Sequence, residues 1–256
     1  MKIVVLVKHV PCVLRGMTFG ADHTLARGGR PGQLNEADTY AVDQALRVAR
    51  RRRDVQITAV TMGPAAAAAA LRRALILGAD DAVHVLDDRL HGSDALATAR
   101  VLATVVDRIG FDLVLCGSAS SDAGTSAVPA MVAELLDVPV LCFADLLRVR
   151  EHRVEIGRND GAGLQTYAAA LPAVVSVTER CGEPLLPTLT ATLDAHHKLV
   201  HTWSLTDLGI PGAGPGATVV HTVAATPAAR SPVVLADEPT IAAIRVADFL
   251  TVHQFL

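Results

Sequence analysis

The residues best placed to do chemistry in this chain form one unbroken stretch: Ser118, Ala119, Ser120, Ser121, Asp122, Ala123, Gly124, Thr125, Ser126, Ala127, Val128 and Pro129. Nearly all are small or hydroxylated, and a single carboxylate, Asp122, sits among them. The run before them, Leu113 to Cys116, is apolar, bounded by Asp112 and Gly117, and has the pattern of a buried strand. Met131, Leu135 and Leu136 resume helical spacing afterwards, so a helix should begin between Ala123 and Pro129. A strand that opens through small residues onto a helix start leaves unpaired N–H groups at the positive end of the helix dipole. Phosphate binds readily in such a place. An ordinary strand-to-helix loop is the competing reading. Asp122 also has two readings: a partner for a ribose hydroxyl, or a cap for the following helix.

Other chemistries find little support. There is no Gly-x-Ser-x-Gly elbow, no Gly-x-x-x-x-Gly-Lys-Ser/Thr loop and no Gly-x-Gly-x-x-Gly after a strand. Cys12, Cys116, Cys142 and Cys181 are far apart and form no Cys-x-x-Cys pair, which points to a reducing compartment rather than a zinc site or disulfide framework. His196, His197 and His201 match no closed metal site, so no metal is expected. Asp87 and Asp88 have the character of a solvated loop face.

The elements that must position the stretch alternate strand and helix. Lys2 to Val7 opens with a β-branched strand, followed by a glycine-rich segment from Lys8 to Asn35 that is too long for a plain connector. Asn35 is a favourable N-cap for a helix whose inward stripe is Tyr40, Ala41, Ala45, Leu46 and Val48. Further strands are expected at Val55 to Met62, Ala82 to Leu86 and Val138 to Leu141, with helices over Ala65 to Leu77, where Pro64 leads in and Gly78 ends it, and Ser93 to Ile109. This order predicts an α/β fold with a doubly wound, mostly parallel sheet, whose ligand lies beyond the carboxyl ends of the strands. The loops after Val7, Met62 and Cys116 would then share one pocket. From Asp145 the pattern changes to a small antiparallel ribbon, Leu146 to Ile156 and Leu164 to Ala170 turned at Arg158 to Gly161, and then a buried strand from Leu171 to Thr178. After Glu183 and Pro184 the text becomes mixed, with a late helix expected from Pro239 through Phe249 as part of a C-terminal arm.

The 256 residues are 51% hydrophobic but only 3% aromatic, a composition suited to a Val, Leu, Ala and Ile core under parallel strands. A net charge of −3 provides no basic face for nucleic acid, and the one basic run, Arg50 to Arg53, falls at a helix C-terminus where cations suit the dipole. No apolar run reaches the length of a membrane span, and the opening apolar run is too short for a signal peptide. A soluble, cytoplasmic protein is expected.

Taken together these residues resemble the beta subunit of electron transfer flavoprotein. The likeness is carried by Lys2 to Lys8 with His9-Val10-Pro11, Asn35 with Ala41 to Leu46, Val60 to Pro64, Leu71 to Leu75 and Leu77 to Asp80. It continues through His91 to Asp94, the Asp122 loop closing on Val128-Pro129, Leu171 to Val175 and Glu183-Pro184, covering about residues 1–210. The resemblance implies a Rossmann-like fold of the adenine-nucleotide alpha hydrolase type, with residues 1–190 as the nucleotide-binding domain and 191–256 as a partner-docking segment and arm. It implies a heterodimer in which an alpha subunit holds most of a redox-active FAD and this chain buries AMP, or a second FAD in electron-bifurcating members. By position the AMP-lining residues would be Leu6, Asn35, Glu36, Ala37, Asp38, Met62 and Ser118 through Pro129. No catalytic residue is implied, and dehydrogenases would dock on the segment from Leu185 to Lys198. The chain departs from the family pattern at Cys12, where an aspartate is usual, at Ala37, where many members carry an aromatic, and at Leu193 to Lys198, which lacks the usual lysine run. A stand-alone adenine-nucleotide-binding protein of the universal-stress type is the alternative, although a Ser-Gly-Gly pyrophosphate loop is missing.

Overall fold

The structure, a computed structural model, describes residues 1–13, 17–20, 24–161, 163–184, 186–195, 197–211 and 238–253. Leu185, His196 and, within the Lys8 to Asn35 segment, residues 14–16 and 21–23 lie outside these. Two compact units are present, 1–219 and 220–256.

In chain order the first unit runs β1 (Lys2–Leu6), β2 (His9–Pro11), β3 (Gly32–Leu34), α1 (Glu36–Arg51), β4 (Gln56–Met62), α2 (Ala68–Leu77), β5 (Asp81–Val85), α3 (Ala95–Ile109), β6 (Leu113–Gly117) and α4 (Val128–Leu135). It continues with β7 (Val140–Ala144), β8 (Leu146–Val149), β9 (Arg153–Asn159), β10 (Leu164–Ala170), β11 (Ala173–Val177), α5 (Leu189–Ala195) and β12 (Val200–Trp203). The second unit contributes α6 (Pro239–Val252), in which the Phe249 and His253 rings lie 4.4 Å apart.

Seven strands form one sheet in the order β12-β5-β4-β1-β6-β11-β7, and every adjacent pair is parallel. The chain leaves β1 toward β4 and β5, then returns to place β6 on the other side of β1. The order therefore reverses between β1 and β6, the position where open α/β sheets hold ligands. Alternation along β1 sends Ile3 and Val5 into one core with α1 and α2, and Val4 and Leu6 into the other with α3 and α4. Helices on both faces make the sheet doubly wound, as the sequence predicts.

Local chemistry explains the helix ends. Asp94 accepts the Ala97 N–H at 2.7 Å and caps α3. The alanine run begins as a short 3-10 turn after Pro64 and becomes α2 at Ala68, and at its end Gly78 takes a positive φ of 131°.

The structure corrects several expected boundaries. The span Leu146 to Ile156 is two strands, because a turn at Glu151 and His152 divides it, so the antiparallel ribbon has three strands in the order β10-β9-β8. The long glycine-rich segment contains an antiparallel pair, β2 with β3. The strand expected at Val138 begins at Val140. Asp87 is not a free loop face: it accepts the Leu205 N–H at 3.1 Å and holds Arg89, anchoring the chain that follows β12. β12 itself, a parallel edge strand beside β5, lies in a stretch whose mixed composition hid it.

The segment between β11 and β12 is fastened at both ends. On α1, Gln44 Nε2 donates to the Cys181 carbonyl at 2.6 Å and Arg47 Nη2 to that of Glu183 at 2.7 Å. At the other end Arg72 Nη1 donates to the Lys198 carbonyl at 2.9 Å, and Lys198 Nζ to that of Ala79 at 2.6 Å.

One close approach is essential where β6 ends. A methyl group on Gly117 would fall 2.5 Å from Asp38 Oδ1 and 2.7 Å from the Ala37 backbone carbon. Gly117→Ala is expected to destabilise the fold by about 1–3 kcal/mol, seen as a lower urea midpoint with an unchanged slope, because the overlap is with backbone and a buried carboxylate.

Candidate functional site

The switch point is built around Asp38, in the first turn of α1. Its Oδ2 accepts the Lys8 N–H at 2.8 Å, just beyond β1, and its Oδ1 accepts the Gly117 N–H at 3.0 Å, at the end of β6. The side chain is buried. Burial pushes the Asp38 carboxyl up to about 7, over the opposing pull of the Lys8 N–H, the Asn35 side chain and the Gly117 N–H.

Asn35 stands at the N-cap position of α1 but does not cap it. Its amide faces the Ser118–Pro129 stretch instead, with Nδ2 donating to the Ala119 carbonyl at 2.9 Å and Oδ1 accepting the Ser121 N–H at 3.1 Å. Its own N–H donates to the Lys8 carbonyl at 2.9 Å. One residue thereby ties the loops after β1 and β6 together.

Asp122 does not cap the helix that follows it. The residue preceding α4 is Ala127, and no side chain caps that helix. The carboxylate, with its side chain fully enclosed, is held by Lys8 Nζ at 2.8 Å and Arg27 Nε at 2.6 Å. Lys8 Nζ also donates to Ser120 Oγ at 3.1 Å. Burial alone would raise the Asp122 carboxyl, but the Lys8 and Arg27 bonds and charge outweigh it and hold the group near 2. Two cations on one carboxylate leave a positive excess at the loop.

Within the loop Gly124 and Ser126 have φ of 60° and 54°, the left-handed region that turns successive N–H groups toward one side. The Gly124 N–H donates to the Ser120 carbonyl. Among the described residues no acceptor meets the N–H groups of Ala123, Thr125, Ser126 and Ala127. Ala123 and Thr125 are exposed, and these donors precede the first turn of α4, where Val128 and buried Pro129 begin the helix. Unpaired N–H groups before a helix start suit a phosphate monoester.

The remaining expected residues are distributed around it. Leu6 ends β1 and is buried, and Met62 ends β4 and is partly buried. There Thr61 Oγ1 donates to the Val7 carbonyl at 2.6 Å, and the ring of buried His84 lies 3.0 Å from the Gly63 carbonyl through Nε2. Ala37 packs beneath Gly117, whereas Glu36 is exposed. Lys8 and Arg27 were not among the expected site residues. A lysine directly after the first strand could have been found from its position at the sheet mouth; Arg27 sits in a glycine-rich segment with no local pattern to mark it.

Comparisons with known proteins show the family. Residues 22–208 match the electron transfer flavoprotein domain family. The chain is 37% identical over 215 residues to the electron transfer flavoprotein subunit beta of Mycobacterium tuberculosis, covering 81% of this chain and 80% of the relative. It is 32% identical over 205 residues to the subunit of the same name from Megasphaera elsdenii, covering 77% and 76%. Similarity at 27% over 211 residues, 82% of this chain and 80% of the other, extends to the caffeyl-CoA reductase-Etf complex subunit CarD of Acetobacterium woodii.

The two carboxylates predict a pH profile of stability with opposite limbs. An unfolded aspartate titrates near about 3.9. Between there and about 7 the folded chain keeps a proton on Asp38 that the unfolded chain has lost, so stability should decline as pH rises through that window. Asp122 acts the other way: its contribution is present above the unfolded value and is lost as pH falls toward about 2. Urea midpoints across this range should show both limbs, and Asp38→Asn should flatten the neutral limb while leaving the acid one.

Proposed function

Because this chain belongs to the electron transfer flavoprotein family, among its beta subunits, we propose that it is one half of a heterodimer, holding AMP at the switch point of its sheet and forming one wall of a FAD site shared with an alpha subunit. The observation that carries the AMP assignment is the set of unpaired N–H groups at Ala123, Thr125, Ser126 and Ala127 beside the Lys8–Asp122–Arg27 cluster, where donors and positive charge converge. Asn35 keeps those donors in register by its two bonds to the loop. Leu6 and Met62, at the ends of neighbouring strands, offer the base an apolar wall.

FAD, when bound, takes up and releases the electrons. This chain carries no turnover step in that scheme: it binds, orients and shields. Electrons would pass from a dehydrogenase to a downstream acceptor. The dehydrogenase is assigned to the tethered segment before β12, where Leu186 is 87% exposed and Leu189 77% exposed, with Leu193 and Leu199 also open to solvent. Exposed apolar side chains gathered in one short segment are the mark of a docking surface. Among the described residues no helix is long and apolar enough to cross a membrane.

Co-expression with the alpha subunit from the same host should yield a yellow 1:1 complex that releases one AMP per heterodimer on denaturation, read by mass spectrometry. Release of FAD alone, two per heterodimer, would assign the bifurcating type. A colourless homodimer that binds ATP would assign the universal-stress type. Asn35→Ala strands the Ala119 carbonyl and the Ser121 N–H, and should lower AMP retention by roughly tenfold, from the cost of about 1–3 kcal/mol for an unmade buried bond.

A further inference from the structure

A concavity opens at the carboxyl edge of the sheet, on the β11 side of Ser118. It has a volume of about 440 Å³, and its walls include Ser118, Phe143, Asp145, Arg158, Thr178 and Arg180. Two independent features of its lining stand out.

The first is Phe143. Between Val175 and Val177 the register of β11 against β7 shifts by one residue, so Cys142 and Phe143 together oppose Ser176. The bulge places Phe143 at a φ of 61°, and its N–H donates to buried Ser176 Oγ at 3.0 Å. A bulky side chain rarely adopts this left-handed conformation, and bulges commonly re-aim a side chain beside a functional site. Here the re-aimed ring remains 40% exposed.

The second is Arg158. Its guanidinium carbon lies 4.8 Å above the centre of the Tyr167 ring, and Nη2 donates to Tyr167 Oη at 3.1 Å. Among the described residues no carboxylate comes within ion-pair distance of it. The nearby Asp145 carboxylate is taken by Thr178 Oγ1 at 2.5 Å and the Asn159 N–H at 2.9 Å, with Arg180 Nη1 4.0 Å away. A half-buried guanidinium oriented by stacking keeps its remaining N–H donors in a fixed fork that matches a carboxylate.

We propose that an acidic side chain of the flavin-bearing alpha subunit seats in this concavity, its carboxylate on Arg158 and the apolar surface beside it on Phe143. The inference rests on the heterodimer reading above and adds a specific anchor to it. A protein partner suits the shape better than a free anion does: the mouth is wide, with the Arg180 side chain 64% exposed, and small-ligand sites enclose most of what they bind. Aromatic and arginine anchors in a pocket are the usual centres of protein–protein interfaces.

The test compares association of the full-length chain with the alpha subunit from the same host for the unsubstituted protein, Arg158→Gln, Arg158→Glu and Phe143→Gly, at low and high salt. AMP content and far-ultraviolet circular dichroism are recorded for each. Arg158→Gln should weaken association roughly tenfold and flatten its salt dependence, and Arg158→Glu should weaken it further. Phe143→Gly, which removes the ring and suits the positive φ, should also weaken association while AMP content stays unchanged. Dissociation constants within twofold of the unsubstituted value for all three variants would overturn the anchor and leave the heterodimer standing. Retention of inorganic phosphate by the isolated chain, lost in Arg158→Gln with assembly unaltered, would assign the concavity to a small anion and overturn it as well. If the unsubstituted chain fails to associate at all, the heterodimer reading falls and takes this inference with it.

Discussion

Two backbone N–H groups from distant parts of the chain meet on one carboxylate, and much of the molecule is arranged around that meeting. Asp38 receives Lys8 from the end of the first strand and Gly117 from the strand inserted beside it. Parallel strands that diverge at a switch point leave a gap at their carboxyl ends, with main-chain donors facing it. A short acidic side chain on α1 fills the gap from below and satisfies a donor from each side, as buried main-chain polarity requires. For that to happen α1 must lie almost against the end of β6. Position 117 therefore has no room for a side chain, and position 37 is a small residue.

With the floor fixed, the layer above is set by polar side chains rather than by packing. Asn35 bridges the two loops through its amide, and Asp122 draws Lys8 and Arg27 inward across them. The carboxylates divide the work. Asp38 serves neutral main-chain donors in an enclosed place, whereas Asp122 gathers cations near the surface. Their opposite shifts follow from those surroundings: burial prevails at Asp38, whereas at Asp122 it is outweighed by the bonds and charge of Lys8 and Arg27 together.

The fold was readable because its signals are local. β-branched runs such as Lys2–Leu6, the alanine run entering α2, and the alternation of strand and helix announce a doubly wound sheet without long-range information. The small-residue stretch after β6 was legible for the same reason. Roles set by distant partners were not. Asn35 has the residue type of a cap, and only the approach of Ala119 and Ser121, more than eighty positions away, turns its amide elsewhere. Asp122 looks free in a run of hydroxyls until Arg27 arrives from a segment without periodicity. β12 escaped notice because a four-residue edge strand with exposed His201 and Thr202 carries little hydrophobic alternation. Phe143 was invisible as well, since a bulge depends on register with a strand thirty residues onward.

The stretch that carries Leu186, Leu189 and Leu193 hangs between fixed points, clamped to α1 by Gln44 and Arg47 and to α2 and its C-terminal turn by Arg72 and Lys198. A span held at both ends has already surrendered its loop-closure entropy when the chain folds. Whatever lands on those leucines meets a surface that needs less ordering than a free tail would. Encounter there can therefore be brief and reversible without being weak for want of order.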